Sequence, residues 1–318
     1  MRAKKMDEFD TFRFVLHVVY IVLTILGNLL TIGVVYVTRQ WQTPSGLFIA
    51  NLALTDLLVG SFLLPFGIPT ILSGDWESGR ILCVLNGFTN QCLSSVAVLT
   101  LAMVSLDRYF AIIHSIKYHQ IMTLRRTFIA IISVWSFGIL SAILPLAGWG
   151  QYVFAPGTSL CVTDFKANRS FTFFVFIVVF AIPLNAIFFI YIQIFRAVRK
   201  QLKAIRLTAV HPSNQENSNN AKQSLLHKFK KEAKAALTMF IIIGVFVVCM
   251  TPFTVFNLYC LHTGFRSNFG DFITSKAAYI NAIFNPLIYG VMNKVFRRGY
   301  YKLFYMMFKC QKAPVNAN

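Results

Sequence analysis

Charged residues are scarce in this sequence. Only 13% of its 318 residues are charged, while 56% are hydrophobic; soluble domains carry about 25% charged residues, so a soluble globular protein is excluded. Acidic residues are the scarcer kind, with 11 Asp and Glu against 30 Lys and Arg and a net charge of +19. The cations lie in short blocks between long apolar runs, as in cytoplasmic loops of membrane proteins, so no nucleic-acid partner is expected.

Several chemical signatures are also missing. The six cysteines are scattered and form neither a CxxC pair nor a zinc-binding pattern. The sequence contains no HExxH motif and no nucleophile constellation, so we expect no enzymatic activity, no cofactor and no metal. No internal repeat is visible, which argues against the repeat-built transporter folds, and few spans carry charges that could line a channel.

The sequence does contain seven apolar runs. The run from Ile81 to Leu106 holds no charged residue; as a helix it is about 39 Å long, enough to cross a hydrocarbon core of about 30 Å. We therefore predict an all-α integral membrane protein with seven transmembrane helices. The spans are placed at about residues 14–38, 46–72, 81–113, 127–147, 170–195, 235–261 and 271–292. Basic and aromatic residues then alternate, which predicts an amphipathic surface helix and a tail within 293–318.

The positions of the cations predict the orientation in the membrane. If residues 1–13 lie outside, the inner loops and the C-terminus carry 21 of the 30 Lys and Arg residues. The positive-inside rule thus predicts an extracellular N-terminus and a multi-pass protein of the plasma membrane. Cys83 and Cys161 both face the oxidising side, which favours a disulfide. Asn168 is a candidate for N-glycosylation, and Cys310, on the inner side, is either palmitoylated or an unmodified thiol.

Four polar residues fall inside the predicted spans: Asn28, Asp56, Asn281 and Asn285. Polar side chains are unfavourable in lipid, so we expect these four to turn inward and to bond to one another or to water. Prolines inside the fifth, sixth and seventh spans permit bends. This combination suits a bundle that switches between two arrangements, although a rigid bundle could also hold it.

Each span carries one distinctive motif, in a fixed order. The motifs are Gly27-Asn28, Leu52-Ala53-Leu54-Thr55-Asp56, Asp107-Arg108-Tyr109, Trp135, Pro183 with Tyr191, Phe246-x-x-Cys249-Met250-Thr251-Pro252 and Asn285-Pro286-Leu287-Ile288-Tyr289. Together they resemble the signature positions of rhodopsin-like (class A) G-protein-coupled receptors, over nearly the whole chain. The resemblance implies a receptor whose partners are an extracellular small molecule, a heterotrimeric G protein and membrane lipids. It also implies the disulfide between the third span and the loop that follows the fourth.

The resemblance assigns a conformational switch to the inner end of the bundle. Arg108 is expected to pair at rest with Asp107 and Glu232, and outward movement of the sixth span would release it. Alternatively, Glu232 is a solvated acid in a basic run and Arg108 only snorkels at a helix end. The residues assigned to coupling and switching are Asp107, Arg108, Tyr109, Tyr191, Glu232, Asn285, Pro286 and Tyr289.

The resemblance also places a ligand pocket in the outer half of the bundle. Its expected wall is polar, uncharged and aromatic: Asn86, Asn90, Gln91, Ser94, Phe253, Thr254, Asn257, Ser275 and Tyr279. Asn90 stands where amine receptors carry an aspartate, and Val175 and Val179 stand where serines would bind a catechol. We therefore expect a neutral or weakly polar small ligand. Alternatively, some of the asparagines only bond to neighbouring helices.

Other positions depart from the family pattern. Met250 replaces the tryptophan of the CWxP motif, and a flexible thioether cannot act as the same rigid toggle. Ala97 replaces a serine that helps to hold sodium in many members, which puts a sodium site at Asp56 in doubt. The segment 148–161 is similar to opsins, but Tyr279 occupies the position of their retinal-binding lysine. Lys276 leaves open a retinal-binding photoreceptor; otherwise it snorkels or pairs with Asp271.

Overall fold

The chain, seen in a computed structural model, is described over residues 7–210 and 216–309. The long helices of these ranges are α1 (Glu8–Val37), α2 (Pro44–Ser73), α3 (Gly79–Ile113), α4 (Leu124–Trp149), α5 (169–210), α6 (Glu216–Thr263), α7 (Asn268–Met292) and α8 (Lys294–Lys309). A 3₁₀ turn, Gln40–Gln42, follows α1, and a short helix, Tyr118–Ile121, follows α3. The strands β1 (Tyr152–Ala155) and β2 (Leu160–Thr163) form an antiparallel hairpin between α4 and α5.

The first seven long helices form one bundle. α3 contacts α2, α4, α5 and α6, while α1 closes the ring by packing on α2 and α7. Six helices of the described ranges, α1 to α6, are long and apolar enough to cross a membrane. Large apolar side chains such as Phe62, Phe188 and Val248 face outward and are exposed, as expected where lipid is the solvent. The predicted fold class, a seven-helix membrane bundle with a C-terminal surface helix, is confirmed.

Several helices extend beyond the apolar runs that predicted them. α1 begins at Glu8, earlier than the predicted residue 14, because the Asp7 carboxylate accepts the backbone N–H of Asp10 at 2.6 Å and so caps the helix. α7 likewise begins at Asn268 after the N-cap Ser267. α6 begins at Glu216, well before the predicted residue 235. Hydrophobicity marks only the membrane-embedded part of a helix, and polar residues with good helix propensity continue it into water.

The backbone of α2 is irregular near the cavity described below. It forms a wider π-helical turn over Val59–Leu63 and then a tighter 3₁₀ turn over Leu64–Phe66, where Pro65 cannot donate an N–H to the preceding turn. Two carbonyls of this stretch accept bonds from other helices. The Leu63 carbonyl accepts Asn86 Nδ2 at 3.1 Å, and the Leu64 carbonyl lies 2.7 Å from His17 Nε2.

α1 and α7 approach closely at a proline. Pro286 lacks the N–H that would bond to the Ala282 carbonyl one turn earlier, and Asn28 Nδ2 donates to that carbonyl instead at 3.0 Å. Gly27 makes the approach possible, since a Cβ at this position would lie 3.0 Å from Pro286 Cγ. The Gly27-Asn28 motif therefore compensates for the proline of the Asn285-Pro286 motif on the neighbouring helix.

α8 leaves the bundle immediately after α7 and is amphipathic. Phe296 is 1% exposed and stacks on Tyr289 with 5.1 Å between ring centroids, while Tyr301 and Phe304 are exposed. Tyr300 donates its hydroxyl to the Pro286 carbonyl at 3.3 Å. This arrangement attaches α8 to the inner part of α7. The predicted palmitoylation residue, Cys310, lies outside the described residues.

Candidate functional site

The bundle has two chemically different ends. We call the end that holds β1 and β2 the hairpin end, and the opposite end, where α3 meets the Tyr118–Ile121 helix, the Arg108 end. Each end holds buried polar groups that the sequence analysis predicts to be functional.

At the Arg108 end, one arginine joins three helices. Arg108 is 6% exposed; its Nε donates to Asp107 Oδ2 at 3.0 Å and its Nη1 donates to Glu232 Oε2 on α6 at 3.1 Å. Ser45, at the start of α2, contacts Arg108 Nη2 and donates its hydroxyl to Asp107 Oδ2 at 2.7 Å. The snorkelling alternative does not describe this side chain, because it is buried and paired with two carboxylates.

A tyrosine from the loop completes this charge network. Tyr118 donates its hydroxyl to Asp107 Oδ1 at 2.7 Å, so both carboxylate oxygens of the fully buried Asp107 are satisfied. Burial, and then the charge of Asp107, raise the pKa of the Tyr118 phenol. The phenol therefore stays a donor throughout the physiological pH range.

Three further predicted switch residues, Tyr191, Asn285 and Tyr289, are buried in the core. Tyr191 and Tyr289 are each 2% exposed and belong to one apolar cluster with Leu101, Ile242 and Phe246. Asn285 donates to Asp56 Oδ2 at 2.8 Å, which joins α7 to α2. Tyr109 is half-buried, with its ring 5.5 Å from that of Phe110. In this arrangement Arg108 bonds to acids, and the contact of Arg108 with Tyr191 and Tyr289 on activation stays a prediction.

At the hairpin end, the predicted disulfide is present. Cys83 at the start of α3 is bonded to Cys161 in β2, across 78 residues of sequence. Asn86, one turn along α3, accepts the Cys161 N–H on its Oδ1 at 3.0 Å. Every residue of β2 is buried. The hairpin is therefore packed into the mouth of the bundle.

A cavity of about 100 Å³ lies beneath the hairpin and extends inward to Asp56. Six residues of the predicted pocket line it: Asn90, Gln91, Ser94, Phe253, Ser275 and Tyr279. The hairpin and its continuation contribute Thr158, Val162, Thr163 and Phe165. The sequence prediction missed these four, although the disulfide at Cys161 was a signal that this loop lies over the bundle.

Three other residues of the predicted wall do not line this cavity. Asn86 does not line the cavity because both ends of its amide are engaged, by the Leu63 carbonyl and by the Cys161 N–H. Thr254 and Asn257 bond back to carbonyls of their own helix, at 3.1 Å and 2.9 Å. Val175 and Val179 are fully buried outside the cavity wall. The alternative, that some asparagines only bond to neighbouring helices, describes Asn86, which donates to the Leu63 carbonyl on α2.

The cavity wall offers hydrogen bonds and little charge. Tyr279 donates to Asn90 Oδ1 at 3.5 Å, and Thr163 donates to Gln91 Oε1 at 3.2 Å. Gln91 is 6% exposed and its Nε2 is a buried donor without a hydrogen-bond partner. Asp56 is the one carboxylate among the described lining residues, and it lies at the inner limit of the cavity. Ala97 lines the cavity near it without supplying an oxygen, so this position adds no sodium ligand.

The four residues of the predicted polar network do not all bond to one another. Asn285 reaches Asp56, but Asn28 bonds to the carbonyls of Thr24 and Ala282. Asn281 lines the cavity. The unpartnered oxygens of Asn28, Asn281 and Asn285 remain buried in this region, where water ordinarily completes such bonds.

Lys276 has a different partner from the one predicted. Asp271 is bonded to Arg266 through both carboxylate oxygens, at 2.6 Å and 2.9 Å. Lys276 instead places its Nζ 2.6 Å from His17 Nδ1 on α1. It is not among the described residues that line the cavity. A retinal bound to Lys276 in that cavity therefore receives no support.

Asn168 begins α5 as its N-cap. Its Oδ1 accepts the N–H groups of Ser170 and Phe171 at 3.0 Å and 3.3 Å, and the Ser170 hydroxyl at 2.7 Å. The residue is half-buried at the hairpin end. Its glycosylation stays a prediction.

A seven-helix membrane bundle with a covered cavity at one end and a buried charge network at the other has the architecture of a membrane receptor. Residues 27–289 of the 318 match the family described as 7 transmembrane receptor (rhodopsin family). The chain therefore belongs to the rhodopsin family of seven-transmembrane receptors. It is a multi-pass membrane protein, and its relatives are receptors and not enzymes.

Named relatives agree with this assignment. The chain is 28% identical over 307 residues to the alpha-1A adrenergic receptor of Oryzias latipes, covering 90% of this chain and 65% of that receptor. It is 29% identical over 315 residues to the alpha-1D adrenergic receptor of Rattus norvegicus, covering 89% and 55%. For the octopamine receptor beta-2R of Chilo suppressalis the identity is 28% over 305 residues, covering 88% and 76%. The chain thus spans about 65% or 55% of the length of the two adrenergic receptors.

A solved structure shows the same fold. The crystal structure of squid rhodopsin superposes with a TM-score of 0.81 at 25% sequence identity, covering 99% of this chain and 94% of that one. The likeness extends over the whole bundle.

Proposed function

We propose that this protein is a plasma-membrane receptor with an extracellular N-terminus that binds a small ligand at the hairpin end and activates heterotrimeric G proteins. The observation that carries the proposal is the Arg108 network, which holds α2, α3 and α6 together through one buried arginine. A ligand that binds more tightly to an arrangement without the Arg108–Glu232 contact shifts the protein toward it. The resulting outward movement of α6 would open a surface for the G protein.

The cavity indicates the chemistry of the ligand. The relatives named adrenergic and octopamine receptors raise the possibility of an amine, but this wall has Asn90 and Gln91 where a cation would need a carboxylate. Gln91 Nε2 is a buried donor without a partner, and a buried donor is unfavourable unless it is hydrogen-bonded. The ligand is therefore a neutral or weakly polar small molecule with a hydrogen-bond acceptor, such as a carbonyl or ether oxygen, opposite Gln91.

Two measurements test this proposal. The purified full chain is screened against small molecules by thermal stabilisation, since a ligand that binds only the folded state raises its stability. Nucleotide exchange is then measured on a panel of G proteins with each stabilising compound. Neutral compounds with an acceptor should stabilise the protein and raise exchange. Failure to couple to any G protein, at any expression level, would overturn the receptor proposal.

A single substitution tests the role of Gln91. Gln91→Leu removes the amide donor, so the affinity for the stabilising compound should fall about tenfold. Gln42→Leu is the matched control, because Gln42 is an exposed glutamine at the Arg108 end. Equal affinity of Gln91→Leu and the wild type would remove Gln91 from the binding site.

A further inference from the structure

A buried histidine and a buried lysine meet where α1, α2 and α7 converge. His17 on α1 is fully buried and Lys276 on α7 is 6% exposed. Lys276 Nζ lies 2.6 Å from His17 Nδ1, and His17 Nε2 lies 2.7 Å from the Leu64 carbonyl on α2. The pair therefore connects three helices near the hairpin end, outside the cavity.

The partners of the imidazole define where its proton lies. A carbonyl oxygen can only accept, so His17 Nε2 carries the proton and donates to Leu64. Nδ1 then carries a lone pair and accepts a hydrogen from Lys276 Nζ. This arrangement requires a neutral imidazole. A second proton, on Nδ1, would place a cationic ring against the ammonium group at 2.6 Å, and the hydrogen bond could not survive.

The acids near the pair are already engaged. On α1, Asp10 lies 3.5 Å from Arg13. On α7, Asp271 is bonded at 2.6 Å to Arg266 from the preceding loop. α2 supplies the Leu64 carbonyl and Gly67 to this site. A cationic His17 would therefore repel the Lys276 ammonium group without compensation, since no described contact joins a carboxylate to either group.

Tight packing excludes ligands larger than a proton from the pair. A Cβ on Gly67 would lie 2.4 Å from His17 Nε2, so α2 lies directly against the ring. On the other side, the rings of Tyr20 and Phe272 lie 6.0 Å and 5.9 Å from Lys276 Nζ. A proton requires no cavity, and it reaches buried groups through brief local openings.

The two helices that carry the pair, α1 and α7, also contact the hairpin or line the cavity. One turn before His17, Arg13 Nη2 donates to the Pro156 carbonyl at 2.9 Å and to Ser159 Oγ at 2.6 Å, and so holds the hairpin. On α7, Ser275 directly precedes Lys276 and Tyr279 follows it by three residues, and both line the cavity. Separation of α1 from α7 would therefore act on the hairpin and on the cavity wall.

We propose that His17 and Lys276 form a proton-binding site through which acid on the hairpin side weakens the contact between α1 and α7. Near neutral pH the pair shares its protons in one hydrogen bond and stabilises the arrangement that the structure shows. In acid the second proton breaks this bond, and the bundle loosens at its hairpin end. The protein thus responds to protons as well as to its ligand.

Thermal unfolding of the purified full chain in lipid nanodiscs tests this proposal. Between pH 7.5 and 5.5, the Tm of the wild type should fall by about 2–4 °C more than that of His17→Asn or Lys276→Met. The asparagine can still accept from Lys276 but cannot become a cation, and the methionine removes the ammonium. His262→Asn is the matched control, because His262 is an exposed histidine at the same end, and this variant should keep the acid sensitivity of the wild type.

Equal loss of Tm in the wild type and in both variants would overturn the proposal, as would a wild type whose Tm does not fall. If His17→Asn does not fold, Lys276→Met carries the comparison together with the labelled imidazole signals of the protein. The His17 signal should titrate at a different pH in the wild type and in Lys276→Met, and identical midpoints would overturn the proposal. Neither readout requires a ligand or a G protein, so failure here leaves the receptor proposal standing.

Discussion

The buried cations at the two ends of the bundle have different kinds of partner. At the Arg108 end a buried cation is paired with Asp107 and Glu232, and every oxygen of Asp107 has a donor. At the hairpin end the buried cation Lys276 meets a neutral imidazole, and the cavity wall leaves Gln91 Nε2 without a partner. The hydrogen bonds of the Asp107 carboxylate are thus complete within the protein. The hairpin end has a buried donor that a ligand could bind and an imidazole that a proton could bind, as the two proposals above require.

Removal of the arginine should have the largest effect on the difference between the two ends. Arg108→Ala leaves Asp107 fully buried without its cation, and breaking a buried pair in this way lowers stability by about 3–5 kcal/mol. We expect ligand-stimulated nucleotide exchange to fall to the level of membranes without receptor, while protein at the cell surface remains detectable by antibody. Arg125→Ala, at an exposed arginine near the same end, should couple normally. Normal coupling of Arg108→Ala would refute the switch.

Giving the hairpin end a carboxylate should make the two ends more alike. Asn90→Asp places an acid beside the Tyr279 hydroxyl, 3.5 Å from Asn90 Oδ1. An unpaired buried acid is unfavourable, so the variant should be less stable and should recover stability with an arylethylamine. We expect at least tenfold tighter amine binding than in the wild type, or about 1.4 kcal/mol, measured by thermal stabilisation. Asn268→Asp, at an exposed asparagine of the same end, should show no such gain, and equal gains would contradict the assignment of Asn90.

A smaller change should loosen the Arg108 end without removing its cation. The Glu232 side chain is 30% exposed, and ion pairs that reach solvent contribute at most about 1 kcal/mol. Glu232→Gln should therefore raise nucleotide exchange without ligand by about two- to fivefold. Glu77→Gln changes an exposed glutamate at the hairpin end and should have no effect. Unchanged basal exchange in Glu232→Gln would mean that this contact does not hold the resting arrangement.

The smallest effect is expected at the loop tyrosine. Tyr118→Phe removes one donor to Asp107, with a loss of about 1 kcal/mol or less, and basal exchange should rise about twofold. Burial and the Asp107 charge raise the pKa of Tyr118, and a raised phenol pKa contributes stability below an unfolded value of about 10 that is lost only above it. The twofold difference should therefore be equal at pH 6.5 and pH 8.5. Tyr301→Phe, at an exposed tyrosine of α8, is the control, and a difference that disappears by pH 8.5 would contradict this account.

Sequence patterns predicted the fold and the Arg108 end well. Apolar runs identify transmembrane helices because the bilayer imposes both length and composition. Asp107 and Arg108 were conspicuous because charges are rare at membrane depth. The pairing of Arg108 with Glu232 depended on a contact between residues 124 apart in sequence, and only the resemblance to a family supplied it beforehand.

The hairpin end was predicted less well. Asn86, Thr254 and Asn257 have the right chemistry for a pocket, but each engages a backbone group instead. Residues of the hairpin that do line the cavity lie in a loop without helical periodicity, so no pattern placed them. Asp271 was the obvious acid for Lys276, yet Arg266 forms two hydrogen bonds with it.

The sequence by itself determined the class of the protein, because long uncharged runs and unevenly distributed cations are properties of composition and order alone. It also determined that any buried charge would need a partner. The tertiary structure alone decided which partner, as in the contact of Lys276 with His17 from the opposite end of the chain. The reason is physical: amphipathicity fixes which face of a helix turns inward, whereas the rotation and height of neighbouring helices decide which side chains meet within about 3 Å.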